Sequence, residues 1–176
     1  MAFKSRKALD GDVQAIEALI SLSMEKLLSA VLAPAQVAKS YASMGLDSQL
    51  IDDGTYFVVL DEDVLVGCGG WSRRRTLFGG DHANQRDNSF ADPKTEAAKI
   101  RAMYTHPDHA RRGIGTMLLE LSETAAKAEG FRQMELGATA SGLPLYKKFG
   151  YVVVGDISEV YEDGVIVPNF LMRKDI

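Results

Sequence analysis

Between residues 103 and 116 the chain reads Met-Tyr-Thr-His-Pro-Asp-His-Ala-Arg-Arg-Gly-Ile-Gly-Thr, and here lie the residue types most able to do chemistry together. An extended, apolar segment ends at Pro107, two arginines and two glycines follow, and helical periodicity then begins. A helix start has backbone amides with no intrahelical partner, and its aligned peptide dipoles favour an anion. Gly113 and Gly115 remove side chains where backbone must approach a ligand. Arg111 and Arg112 supply charge to a phosphate-rich group, and the amides of Ile114 and Thr116 complete the arc. The run reads as a pyrophosphate-binding loop.

Spacing decides which kind. A mononucleotide loop needs lysine before the hydroxyl residue that follows its last glycine, whereas Thr116 follows Gly115 directly. A dinucleotide loop needs a third glycine where this chain has Leu118. An acyl-coenzyme A loop remains. Further along, Ser141-Gly-Leu-Pro-Leu-Tyr-Lys-Lys-Phe-Gly-Tyr151 pairs a short helix with a tyrosine, Tyr146, four residues before Gly150. With both runs in hand, the chain resembles the GCN5-related N-acetyltransferase family. That family carries a Gln/Arg-x-x-Gly-x-Gly/Ala loop after a strand and a turn, and a Tyr-x-x-x-Gly-Phe/Tyr signature downstream. The departure is Ala110, which stands where the family has Gln or Arg.

The resemblance implies a mechanism and a set of roles. Acetyl-coenzyme A is the co-substrate, with its pyrophosphate on Arg111, Arg112, Gly113, Ile114, Gly115 and Thr116, and its pantetheine arm paired to the backbone of Met103 and Thr105. The acceptor is a primary amine of a small molecule that attacks the thioester directly in a ternary complex. Tyr146 protonates the departing thiolate, since a thiol of pKa ~8.5 is well served by a phenol near ~10. Two rivals stay open: a non-catalytic acyl-coenzyme A-binding module, and an enzyme acting on protein lysines or N-termini. Family members often carry a glutamate or histidine as base on the strand before the loop. Here the alternate positions are Lys99 and Arg101, and neither is an ordinary base at neutral pH. A water relay to Glu135 or Glu96, or a backbone carbonyl, is left as the proton acceptor. Arg101 is read in two ways, as a holder of an acceptor's carboxylate or phosphate, or as the cross-strand partner of Glu135.

Other reactive residues have plainer readings. His106 and His109 straddle Pro107 and suit a stabilised turn, so no metal is expected. Cys68 lies among glycines in a strand and reads as a buried thiol, against an acyl-cysteine intermediate.

The elements needed to hold these residues follow from periodicity. A strand is predicted at Phe3 to Ala8. A helix follows, carrying Val13, Ile16, Leu19 and Ile20 and capped by Asp10. A second helix starts at Pro34 and is joined to the first by an apolar connection. Thr55 to Leu60 and Val64 to Trp71 make a hairpin, Ser72 to Thr95 a long loop, and Ala98 to His106 a strand. The next helix presents Met117, Leu118, Leu121, Ala125 and Ala128 as its apolar face. A strand with Met134, Leu136 and Ala138 inward follows, then a short helix near Leu143 to Phe149, and strands at Tyr151–Val154 and Asn169–Lys174. The expected fold is α/β: a mixed, mostly antiparallel sheet flanked by helices, in which the strands ending at His106 and Thr139 run parallel and splay apart.

Composition, with 46% hydrophobic and 25% charged residues, is that of a globular domain, and the resemblance implies one N-acetyltransferase domain over residues 1–176. Twenty basic against 24 acidic residues give −4, which argues against nucleic acid. No run approaches the ~18 apolar residues of a membrane span, and the basic start is not followed by an apolar stretch of roughly 7–15 residues. A cytoplasmic protein is expected, and a homodimer is left open.

Overall fold

A computed structural model describes residues 2–84 and 86–176. Strand β1 (Lys4–Lys7) pairs antiparallel with β2 (Tyr56–Asp61), which turns through Glu62 into β3 (Val64–Ser72). These join β4 (Ala98–Thr105), β5 (Gln133–Thr139), β6 (Val152–Asp156) and β9 (Asn169–Asp175) in a seven-stranded sheet of order β1-β2-β3-β4-β5-β9-β6. A separate two-stranded hairpin joins β7 (Glu159–Val160) to β8 (Ile166–Val167). Every pairing is antiparallel except β4 with β5, which is parallel and registered only at Ala98↔Met134 and Lys99↔Glu135. The splayed parallel pair lies where it was expected.

Both sheet faces are covered, which is why β2 and β3 read as nearly unbroken apolar runs. Successive side chains of a strand leave opposite faces, so Phe57 and Val59 join one core cluster while Tyr56 and Val58 join the other. The first cluster packs under α4 (Ile114–Ala128) and α5 (Leu143–Lys148), the second under α1 (Val13–Ser23) and the turn after it. In α1, Ile16, Leu19 and Ile20 are buried at the predicted spacing. Its start differs from expectation, because Asp10 opens a short 3-10 turn rather than capping the helix. The neighbouring Asp12 accepts from the Leu9 amide at 2.8 Å and grips the Arg6 guanidinium at 2.7 and 2.8 Å.

The helix then widens into a π turn at Met24–Leu28 and ends before α2 (Pro34–Ser40), whose first turn holds the proline. A five-residue helix, α3 (Ser48–Asp52), was not foreseen. The buried residues of α4 are Ile114, Leu118, Leu119, Ser122 and Ala126, so its core face is rotated from the predicted one. Ser122 occupies a core position with a polar side chain, which hid the true stripe. The connection from 73 to 97 is pinned by paired charges: Arg73 to Glu129, Arg74 to Asp53 and Arg75 to Glu96, each at 2.7 Å.

Candidate active site

Where β4 and β5 part, a cavity of about 590 Å³ opens along their facing edges. Residues 100–105 form one wall, Leu136, Gly137 and Thr139 face it, and the start of α4 closes one end. The far side is closed by α1 and the residues after it, from Ser23 to Leu32.

Strand β4 is not regular here. Tyr104 pairs with Cys68, yet Arg101 pairs with Gly70, so β4 carries one extra residue and bulges. Ala102 sits at the bulge with φ of 50°, a left-handed value uncommon for a residue with a Cβ. The Tyr56 hydroxyl holds it there by donating to the Ala102 carbonyl at 2.8 Å. Across the sheet, a Cβ on Gly70 would strike the Thr55 carbonyl, so this glycine is required by close backbone approach, while one on Gly69 would meet the movable Met103 sulfur. A bulge interrupts pairing and frees backbone groups. Here it falls at Ala102 and Met103, while Thr105 stays paired with Gly67. The edge of Met103 and Thr105 toward β5 is open because that pairing ends at Lys99, and both residues line the cavity.

The loop residues divide. Arg111 and Gly113 both have left-handed φ, at 62° and 90°, and curl the chain into the helix. The first bond into α4 runs from the Met117 amide to the Gly113 carbonyl at 3.0 Å, leaving the preceding amides open to an anion. Arg111, Gly113, Ile114, Gly115 and Thr116 line the cavity, and Arg112 does not. Its guanidinium lies 3.5 Å from Asp61 and stacks over Phe3 at 4.9 Å, which corrects the expectation that its charge faces the phosphates. Gly115 has a packing role as well, since a Cβ there would meet the Leu145 side chain on α5. His106 accepts from the Asp108 amide at 3.2 Å, as a turn-stabilising residue does. Among the described residues no cluster of three His, Cys, Asp or Glu side chains fits a metal.

Tyr146 is buried in α5 and lines the cavity. Its ring meets Tyr151 edge-on at 6.1 Å, and burial pushes its hydroxyl well above the usual tyrosine range. The two phenols are not alike: the Tyr151 hydroxyl donates to Glu123 at 2.9 Å and is committed.

Lys99 and Arg101 are both buried, and desolvation pulls both below their ordinary ranges. Arg101 does not meet Glu135. It meets Asp47 Oδ2 at 2.7 Å, as an ion pair outside hydrogen-bond angles, and donates to the carbonyls of Thr76, at 3.0 Å, and Gly79. Glu135 instead faces Lys99 at 3.7 Å, its registered neighbour, and Arg173 at 2.7 Å. Glu96 accepts from Arg75 through both oxygens, which brings its carboxyl down to about 2. Neither acid proposed for a proton relay lines the cavity. The carboxylate that does is Glu159, which no local pattern marks because the two-residue strand β7 is too short to show one.

The sequence matches the Acetyltransferase (GNAT) family over residues 21–151. The chain belongs to this family. It is an N-acetyltransferase that draws its acyl group from acetyl-coenzyme A. It is 26% identical over 127 residues to the uncharacterized N-acetyltransferase YjcF of Bacillus subtilis, covering 72% of this chain and 74% of that one. Its fold is similar to that of a GCN5-related N-acetyltransferase from Rhodopseudomonas palustris, at TM-score 0.71 and 20% identity over 100% of this chain and 97% of the other. The PaiA N-acetyltransferase of Thermoplasma acidophilum, solved with coenzyme A, gives a TM-score of 0.66 at 14% identity with both chains fully covered, 100% each. No described helix is long and apolar enough to cross a membrane.

Proposed function

We propose that this GNAT protein acetylates a primary amine of a small molecule, by direct attack on the thioester in a ternary complex. The observation that carries the reading is the closed far side of the cavity, where α1 and its π turn cover the end opposite the phosphate loop. A protein lysine or N-terminus needs a groove open along its length, whereas a largely apolar cleft walled on one side by α1 and the residues after it suits a small molecule. The two core clusters flank one sheet, which supports reading residues 1–176 as a single catalytic domain.

On this reading the amides from Gly113 to Thr116 and the Arg111 side chain hold the pyrophosphate, with Arg112 contributing through its backbone. The freed edge of β4 at Met103 and Thr105 pairs with the pantetheine amides as an added strand would. Tyr146, which lines the cavity, gives its proton to the departing thiolate; burial keeps its hydroxyl protonated and also makes it a weaker acid than a free phenol. Direct attack is favoured over an acyl-cysteine, because Cys68 is fully buried and its thiol is pushed up to about 12. Arg101, neutralised by Asp47, holds the 73–97 segment against the cavity instead of meeting an acceptor's carboxylate. Free-thiol release from acetyl-coenzyme A, measured over small amines and over peptides, tests the reading. Acceptor-dependent release is expected with small amines, and release confined to peptides would overturn it.

A further inference from the structure

Glu159 is the one carboxylate among the described residues lining the cavity. Its Oε1 accepts from the Ser43 hydroxyl at 3.3 Å and its Oε2 from the Tyr161 hydroxyl at 2.8 Å. A carboxylate offers about four acceptor sites, so two hydroxyls leave about half of them for a donor entering from the cavity. The hairpin that carries Glu159 is fastened to α2, with Gln36 Nε2 donating to the Ile166 carbonyl at 2.8 Å. Lys39, the neighbouring cation on α2, is paired with Asp163 at 2.8 Å and lies over the Tyr161 ring, so it does not neutralise Glu159.

The rest of the lining sharpens the charge pattern. Arg101 is ion-paired with Asp47, a carboxylate it shares with Arg86, while Arg111 and Lys148 belong to the phosphate loop and to α5. The wall from α1 onward is apolar, with Met24, Leu27, Leu28, Val31 and Met44, and Phe78 joins it from the long connection. An attacking nitrogen must be neutral, so an ion pair on it would oppose the reaction. A carboxylate held ready by two hydroxyls therefore suits a charge elsewhere on the acceptor.

We propose that Glu159 receives a second cationic group of the acceptor, so that the cavity takes an amine with an apolar body and a distal positive charge. This deepens the small-molecule reading and rests on it. The test uses a matched series of one chain length, 1,8-diaminooctane, octylamine and 8-aminooctanoate, titrated calorimetrically into the coenzyme A-saturated protein. The diamine is expected to bind at least about tenfold tighter than the amino acid, with octylamine between. In Glu159→Gln, which keeps the side-chain shape, that advantage should vanish while coenzyme A affinity stays the same. Equal affinities, no binding of the diamine, or an advantage that survives in Glu159→Gln would each overturn the proposal. Thiol release on the same amines is read separately, so a failure of acetyl transfer is distinguishable from a failure of charge recognition.

Discussion

Replacing Asp47 by Asn removes one charge and almost no volume, at the point where three parts of the chain meet. Asp47 precedes α3, is 1% exposed, and contacts Arg101 at 2.7 Å and Arg86 at 3.0 Å. Arg101 is itself 4% exposed and cannot turn to water when its partner is neutralised. Breaking a buried pair from one side leaves an uncompensated charge and costs about 3–5 kcal/mol, against about 0–1 for an exposed pair such as Arg75 with Glu96. With a urea dependence of about 2 kcal/mol per molar, the unfolding midpoint should fall by about 1.5–2.5 M, a substantial part of the stability of an ordinary domain. The assay is equilibrium urea unfolding of Asp47→Asn, of Arg101→Met and of the double variant. The double variant removes the Arg101–Asp47 pair but leaves Arg86, the other cation on Asp47, so it should recover only part of the loss and show a coupling of at least about 1 kcal/mol. A loss below about 1 kcal/mol in Asp47→Asn, or simple additivity, refutes the assignment of this pair as the tie of the 73–97 segment.

Tyr146→Phe keeps the ring against Tyr151 and should lower turnover by roughly 10²-fold with little change in acetyl-coenzyme A affinity, measured by steady-state kinetics and calorimetry. Gly113→Val forces a β-branched residue to a φ of 90° and should weaken calorimetric acetyl-coenzyme A binding at least tenfold, about 1.4 kcal/mol. Asp12 and Asp53 are held below the usual carboxylate range by hydrogen bonds from Arg6 and Arg74. Their contribution to stability is therefore complete above about pH 4 and fades as the pH falls through the lowered values, and Asp53→Asn should flatten the acid limb of the unfolding curve.

What was legible in the chain was local. The alternation of Met134, Leu136 and Ala138 with Gln133 and Glu135 is written in adjacent residues, and β5 shows it position by position. The glycine turn into α4 is equally local, because a left-handed glycine before a helix leaves its mark within six residues. The rest depends on partners far away in sequence. The five residues of α3 span too few turns to display a period. The bulge at Ala102 is shaped by Tyr56 and by glycines on another strand, and alanine itself carries no sign of it. Only the pair Gly69-Gly70 in an otherwise strong strand hinted at a close approach. Arg101 was placed on the right strand and given the wrong partner, since Asp47 reaches it from the α2–α3 connection. Glu159 meets Ser43 across 116 positions, which no motif can record.

The strand order also dictates a sequence of assembly. The last strand, β9, is inserted between β5 and β6, so β6 has no place in the sheet until the end of the chain arrives. During synthesis β1 to β5 and α4 emerge together with the phosphate loop they support, whereas Glu159 and its hairpin wait for β9 to close the sheet beside them. The part of the cleft built from β4, β5 and the 111–116 turn is therefore complete in the chain before the hairpin that carries Glu159 has a finished sheet to lie against.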